Sequence, residues 1–142
     1  MAWEPDVSSS TGRGFGRVLV AIYGVMAIAA TARSIVQIAR DFSAAPTAYL
    51  LSVFAAIVYI VATVALARGD RTSRRVAIIA ISVELIGVIV VGAISLLLPD
   101  QFPKATVWSH FGQGYLFLPL VLPIVGLWWL GKTRSSSPSA DE

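Results

Sequence analysis

Four apolar stretches, each about 20 residues long, occupy most of this chain of 142 residues. A helix rises about 1.5 Å per residue, so about 20 apolar residues cross the hydrocarbon core of a bilayer. The stretches lie at 17–38, 47–67, 76–98 and 111–130, and the second contains no charged residue. Only 13% of the residues are charged, whereas soluble domains are about a quarter charged. The sequence therefore predicts an all-α protein, a bundle of four transmembrane helices.

The four stretches form a single predicted membrane domain, residues 17–130, between polar tails at 1–16 and 131–142. The first stretch has a second interpretation as a secretory signal peptide, because an apolar core precedes Ala30-Thr31-Ala32. The apolar pattern continues beyond that point to Ile38. We therefore expect a retained first helix.

Basic residues are divided unequally between the two ends of the predicted bundle. The larger group is Arg13, Arg17, Arg68, Arg71, Arg74, Arg75, Lys132 and Arg134, and the smaller is Arg33, Arg40 and Lys104. Cytoplasmic connections of membrane proteins carry the excess of Lys and Arg. This asymmetry predicts a multi-pass protein of the plasma membrane with both termini in the cytoplasm. The basic connection at 68–75 has an alternative use, the binding of anionic lipid head groups or of a nucleic acid, but we expect no nucleic-acid partner.

Glu84 is the one acidic residue within the four apolar stretches. A carboxylate in hydrocarbon is costly, so such a residue faces protein or water and often marks a proton path. Helical spacing places Glu84 with small residues and leaves large aliphatic residues on the opposite face. The small face is Ala77, Ala80, Gly87, Val91 and Ser95, and the large face is Ile78, Leu85, Ile89 and Leu96. Because small residues line helix contacts in membranes, Glu84 is predicted on the packed face.

The depth of Glu84 in its span indicates which groups it meets. Tyr59 of the second span is expected at the same level, and Tyr23 of the first span slightly nearer the cytoplasm. Pro123 has no amide hydrogen and so leaves the carbonyl of Pro119 free to accept a hydrogen bond. A protonated Glu84 could donate to that carbonyl or to Tyr59. Two interpretations stay open: a proton-coupled site, or a structural carboxyl bonded within the bundle or paired with an arginine of a partner subunit.

Aromatic and basic side chains near the span ends are typical of the head-group level. At the outer end these are Arg33, Trp108, His110 and Tyr115, and at the cytoplasmic end Trp128 and Trp129. His110 could also be a metal ligand or a proton relay. A single histidine with one nearby aspartate falls short of a metal site, so the sequence predicts an interfacial histidine and no bound metal.

The stretch Trp108-Ser109-His110-Phe111-Gly112-Gln113-Gly114-Tyr115, with the Pro-Leu-Val-Leu-Pro that follows, resembles uncharacterised four-span membrane proteins of actinobacteria. The resemblance covers roughly the last third of the chain and implies a membrane bundle without an assigned activity. Small multidrug-resistance transporters share four short helices and one membrane glutamate. Their essential glutamate is in the first helix, whereas the first span here has none, so no residue role is carried over.

Neither the composition nor any motif indicates an enzyme. The chain has no cysteine and one histidine, and it lacks paired carboxylates and a glycine-rich phosphate loop. We therefore expect a non-enzymatic protein without cofactors, acting as an accessory or scaffold subunit of a homo-oligomer or of a larger membrane complex. The alternative is a small proton-coupled transporter with Glu84 as the carrier carboxyl.

Overall fold

The computed structural model describes residues 7–98, 100 and 106–135. Over these ranges the chain forms four α-helices and two short 3-10 segments, and no strand. The helices are α1 (Val7–Asp41), α2 (Pro46–Arg68), α3 (Arg71–Leu97) and α4 (Leu118–Ser135). The all-α prediction is confirmed for this part of the chain.

Three of the helices are long and apolar enough to cross a membrane, at Gly14–Arg40, Pro46–Arg68 and Arg71–Leu97. A fourth crossing is possible only if two elements count together, Ser109–Tyr115 and Leu118–Lys132, which meet at 95°. Length and composition of the helices are thus compatible with a multi-pass membrane protein of three or four spans.

The fourth apolar stretch is broken, whereas the sequence predicts one helix over 111–130. Leu116 and Phe117 adopt left-handed backbone conformations, with φ of 58° and 61°. The helix α4 starts immediately afterwards and has Pro119 in its first turn, where a missing amide hydrogen costs no helical hydrogen bond. Pro119 therefore begins a helix instead of kinking one, and only Pro123 lies inside it.

A tight connection joins α2 to α3. Gly69 ends α2 with φ of 74°, and its amide donates to the carbonyl of Ala65 at 3.2 Å. This left-handed conformation favours glycine because a Cβ would be strained there. Since Asp70 alone separates Gly69 from the start of α3, the two helices pack as antiparallel neighbours.

The two faces of α3 differ as its helical spacing predicts. Ala77, Ala80, Glu84, Val91 and Ser95 are buried, while the large aliphatic side chains of Ile89 and Leu96 are exposed. Ile78 and Leu85, which the sequence assigns to the same large face, are instead partly buried against the core. Small residues allow close approach of neighbouring elements, and large aliphatic residues suit contact with lipid. Glu84 therefore lies on the side of α3 that packs against the rest of the protein.

Candidate functional site: a buried carboxyl network

Glu84 lies in the core of the protein and is held by a tyrosine from another helix. Its side chain is completely buried, and so is that of Tyr23 in α1. The Tyr23 hydroxyl donates a hydrogen bond of 2.7 Å to Oε1 of Glu84. This bond connects α1 to α3 across 61 residues of sequence.

Tyr59 of α2 extends the network on the other side of Tyr23. The two tyrosine rings are 6.3 Å apart between centroids, and Tyr59 is fully buried. The indole Nε1 of Trp108 donates to the Tyr59 hydroxyl at 3.0 Å. An indole nitrogen is a donor only, so the Tyr59 oxygen accepts and its own hydrogen stays available for another acceptor. The carboxyl of Glu84 is near enough to interact electrostatically with this hydroxyl.

The second carboxyl oxygen of Glu84 has no fixed partner. Within the described residues, Oε2 of Glu84 and the hydroxyl of Ser52 are buried atoms that make no hydrogen bond. A buried polar atom left unpaired costs about 1–3 kcal/mol. The polar groups that act on Glu84 are Tyr23 and Tyr59, and no basic side chain is among them. Oε1 of Glu84 therefore accepts a hydrogen bond, whereas Oε2 accepts none from the described residues.

The sequence predicts Tyr59 or the Pro119 carbonyl as the acceptor for a protonated Glu84, with Tyr23 nearby, and the bond to the carbonyl is not formed. The hydrogen bond to Glu84 comes from Tyr23, and no bond joins its free oxygen to Pro119. Pro119 is fully buried and packs beside Gly112. The break before α4 is the physical reason, because it sets the first turn of this helix against the preceding loop.

Trp108 is a buried residue of the core, although the sequence predicts it at the head groups. Its side chain is only 2% exposed. The ring covers Gly87 so closely that a Cβ on that glycine would lie 2.5 Å from ring atom Cζ3. Phe54 meets the indole edge to face at 6.1 Å between centroids. The glycine on α3 thus provides the space that admits the indole next to Tyr59.

The residues after Trp108 continue along the same face of α3. We refer to Ser109–Tyr115 as the outer segment. The Phe111 ring lies on Gly92, and the backbone amide of His110 donates to the Ser95 hydroxyl at 2.8 Å. His110, Phe111 and Gly112 are consecutive residues with left-handed backbone conformation. The small-residue face of α3 therefore packs partly against a loop and not only against helices.

The turn that precedes the outer segment is held by its own hydroxyl groups. The Thr106 amide donates to the Ser109 hydroxyl at 2.8 Å, and the Trp108 amide donates to the Thr106 hydroxyl at 3.1 Å. Side chains that bond to nearby backbone amides stabilise turns. This turn orients the indole of Trp108 toward the core.

The other residues predicted at the interfaces differ in their environments. Arg33 is partly buried, with its guanidinium 5.9 Å from the centre of the Tyr115 ring, and the side chain of His110 is exposed. Trp128 is 57% exposed, and Lys132 Nζ lies 5.0 Å from the centre of its ring.

The four arginines of the connection between α2 and α3 fall into two groups. Arg68, Arg71 and Arg75 are exposed. Arg74 is partly buried and its guanidinium donates to the Leu130 carbonyl near the end of α4. Arg74 therefore connects two helices, while the other three cations present charge at this end of the protein.

A groove of about 450 Å³ lies between α1 and α2, away from Glu84. Its lining is almost entirely apolar and consists of Thr31, Ser34, Ile35, Ile38, Ala39, Val53, Ala56, Ile57 and Ile60. In the described part of the chain, no three His, Cys, Asp or Glu side chains form a group that could hold a metal ion.

Comparisons of the chain with protein-family models, with curated proteins and with solved structures found no match. The physical arrangement of the site is therefore the basis for any functional interpretation.

Proposed function

We propose that this protein is a non-enzymatic accessory or scaffold subunit of a membrane assembly, either a homo-oligomer or a complex with a larger partner. The supporting observation is the closed environment of Glu84, which is fully buried and hydrogen bonded to Tyr23. Trp108, from the turn before the outer segment, and Tyr59, from α2, close the same region. Such a carboxyl joins elements of one chain, as a structural residue does.

The groove between α1 and α2 supports the same proposal. Its lining is almost entirely apolar, and Glu84 is not among the lining residues. A carrier needs its ionisable group to reach water from each side in turn. Because this groove does not reach Glu84, it gives that carboxyl no route to water, which supports a fixed structure over a transport cycle.

The proposed orientation places both termini in the cytoplasm of a plasma membrane. It is supported by the eight basic residues that the sequence assigns to this side against three on the other. Attachment of an accessible reporter to each terminus and to residue 104, followed by labelling of intact cells, tests this topology. Labelling from outside is expected at 104 and not at either terminus, and the reverse pattern would overturn the proposed orientation.

Purification of the full chain at native abundance tests the subunit role. The expected result is either a fixed stoichiometric partner protein or a defined homo-oligomer that survives exchange of detergent for lipid. A control purification with an unrelated four-span protein of similar hydrophobicity removes proteins that bind apolar surfaces in general. Recovery of the chain alone as a monomer, in both detergent and lipid, would overturn the subunit proposal.

A small proton-coupled transporter is the second candidate, and the free oxygen of Glu84 favours it. Oε2 is buried without a partner among the described residues, as a site that takes up and releases a proton would be. Reconstitution of the wild-type protein and of Glu84→Gln into vesicles tests this candidate by flux driven with a pH gradient. Loss of flux in Glu84→Gln supports a carrier, and equal flux in the two proteins excludes Glu84 from that role.

A further inference from the structure

One end of the protein carries an exposed cation on each of the four helices. Arg17 near the start of α1, Arg68 at the end of α2 and Arg75 in α3 are exposed, as is Lys132 in α4. Asp70 is the acidic side chain that the structure describes there. We refer to these four cations as the basic end. The charge therefore comes from separate helices and not from one flexible loop.

Contacts between the helices show that these cations share one end of the protein. Phe15 near the start of α1 packs against Trp128 and Trp129 of α4, with 6.2 Å between ring centroids in each pair. Arg74 donates to the Leu130 carbonyl and so fixes the beginning of α3 to the last turns of α4. Since α2 ends beside the start of α3, all four helices contribute to the basic end.

The basic end also exposes a large aromatic ring beside one of its cations, Lys132. Trp128 is 57% exposed, with Phe15 at its edge and Lys132 Nζ 5.0 Å from the centre of its ring. Tryptophan is enriched at the level of lipid head groups, where its apolar body meets hydrocarbon and its N–H meets water. Cations within about 6 Å of an indole face are held electrostatically.

We propose that the basic end binds anionic phospholipid head groups in preference to zwitterionic ones. Charge complementarity identifies the partner, because three exposed arginines and Lys132 lie at the same end of the protein as the exposed ring of Trp128. Guanidinium groups bind phosphate oxygens with paired hydrogen bonds. The distribution of these cations over four helix ends matches a layer of head groups around the protein. This inference holds for the accessory subunit and for the transporter alike.

Competition between two lipids of equal acyl chains tests the proposal on the full chain. Purified protein in detergent is mixed with equal amounts of phosphatidylglycerol and phosphatidylcholine, and the lipids that stay bound are counted by native mass spectrometry. The wild-type protein is expected to retain more phosphatidylglycerol, and this preference is expected to decrease with ionic strength. The effect of one basic residue near an anionic surface corresponds to a roughly fivefold change in binding.

Variants at the two ends of the protein provide the matched comparison. Arg68→Gln and Arg75→Gln are each expected to weaken retention of phosphatidylglycerol roughly fivefold. Arg40→Gln removes one exposed charge near the opposite end of α1 and is expected to leave retention unchanged. Circular dichroism and a thermal melt of each variant separate lost binding from lost folding.

Two results would overturn the proposal. The first is equal retention of the two lipids by the wild-type protein at low salt. The second is an equal loss of retention in Arg40→Gln and in Arg75→Gln, since general charge rather than the basic end would then be responsible. If Arg75→Gln instead releases an acidic protein that copurifies with the wild type, while lipid retention stays constant, the surface belongs to that protein and not to lipid.

Discussion

The Tyr23 hydroxyl and the Glu84 carboxyl are joined by a hydrogen bond of 2.7 Å, although 61 residues separate them in the chain. Both side chains are completely buried. The bond therefore connects α1 to α3 in a region from which water is excluded. In such a region, removal of one partner leaves the other polar group unpaired and lowers the free energy of unfolding.

Substitution of Tyr23 by Phe tests this contact. It removes the hydroxyl, keeps the ring and leaves Oε1 of Glu84 without its donor. The free energy of unfolding is expected to fall by about 1–3 kcal/mol, as measured by denaturation in mixed micelles. Tyr49→Phe is the matched control because Tyr49 is buried in α2 away from this network. Equal losses in the two variants would contradict the assigned role of Tyr23.

Substitution of Gly87 by Ala tests the packing of the Trp108 ring against α3. The new methyl would lie 2.5 Å from the indole, so the ring must move away from α3. Alanine in a helix is otherwise favoured over glycine by about 1 kcal/mol. With Trp108 retained as the single tryptophan, Gly87→Ala is expected to move its fluorescence emission to longer wavelength.

Gly131→Ala provides the control for this measurement. Gly131 lies in α4, and a Cβ there would meet no atom within 4 Å. The emission of Trp108 is expected to stay constant and the protein to become slightly more stable. An unchanged emission in Gly87→Ala would show that the indole does not depend on the glycine.

Gly112 and Gly114 of the outer segment provide a test substitution and its matched control. Gly112 has φ of 83°, and a Cβ on it would lie 2.7 Å from Pro119, whereas a Cβ on Gly114 would meet no atom within 4 Å. A left-handed conformation costs a residue with a Cβ about 1–2 kcal/mol. Gly112→Ala is expected to lower the melting temperature clearly and Gly114→Ala hardly at all. Similar melting temperatures would contradict this backbone conformation.

Asp70 in the connection between α2 and α3 gives the stability a dependence on pH. The side chain of Ser73 and, to a smaller degree, Arg68 lower the pKa of Asp70. A carboxyl whose pKa is lower in the folded state stabilises that state above its unfolded pKa, and this contribution is lost as the pH falls through the folded pKa. Wild type is therefore expected to be more stable than Asp70→Asn at pH 7. The difference in stability should persist down to the ordinary pKa range of aspartate and vanish at lower pH. A difference that stays constant well below that range would contradict the assignment.

The sequence predicts the helices and the buried side of α3 because both depend on patterns within one segment. Run length identifies the apolar helices, and helical spacing places Glu84 among small residues. The level of Tyr23 and Tyr59 follows from counting residues along the spans. The all-α fold and the compatibility with a membrane protein thus come from local physical constraints.

The sequence does not predict the burial of Trp108 or the break before α4. A tryptophan between a proline-rich loop and an apolar stretch is typical of a membrane interface, and its burial depends on space in another helix. Gly87 and Gly92 were the available signal, since two glycines within α3 leave room for the rings of Trp108 and Phe111. The Pro119 carbonyl was misjudged as an acceptor for Glu84 because the position of Pro119 depends on the same break.

The intact mass of the assembly at native abundance tests the proposed subunit role most directly. The full chain is isolated in particles of native membrane, without detergent, and weighed by native mass spectrometry. The account predicts a defined mass above the 15.1 kDa of one chain, equal to a multiple of it or to a fixed complex with a partner. It also predicts the same mass for Glu84→Gln if the variant folds. A wild-type protein found at 15.1 kDa alone would contradict the account.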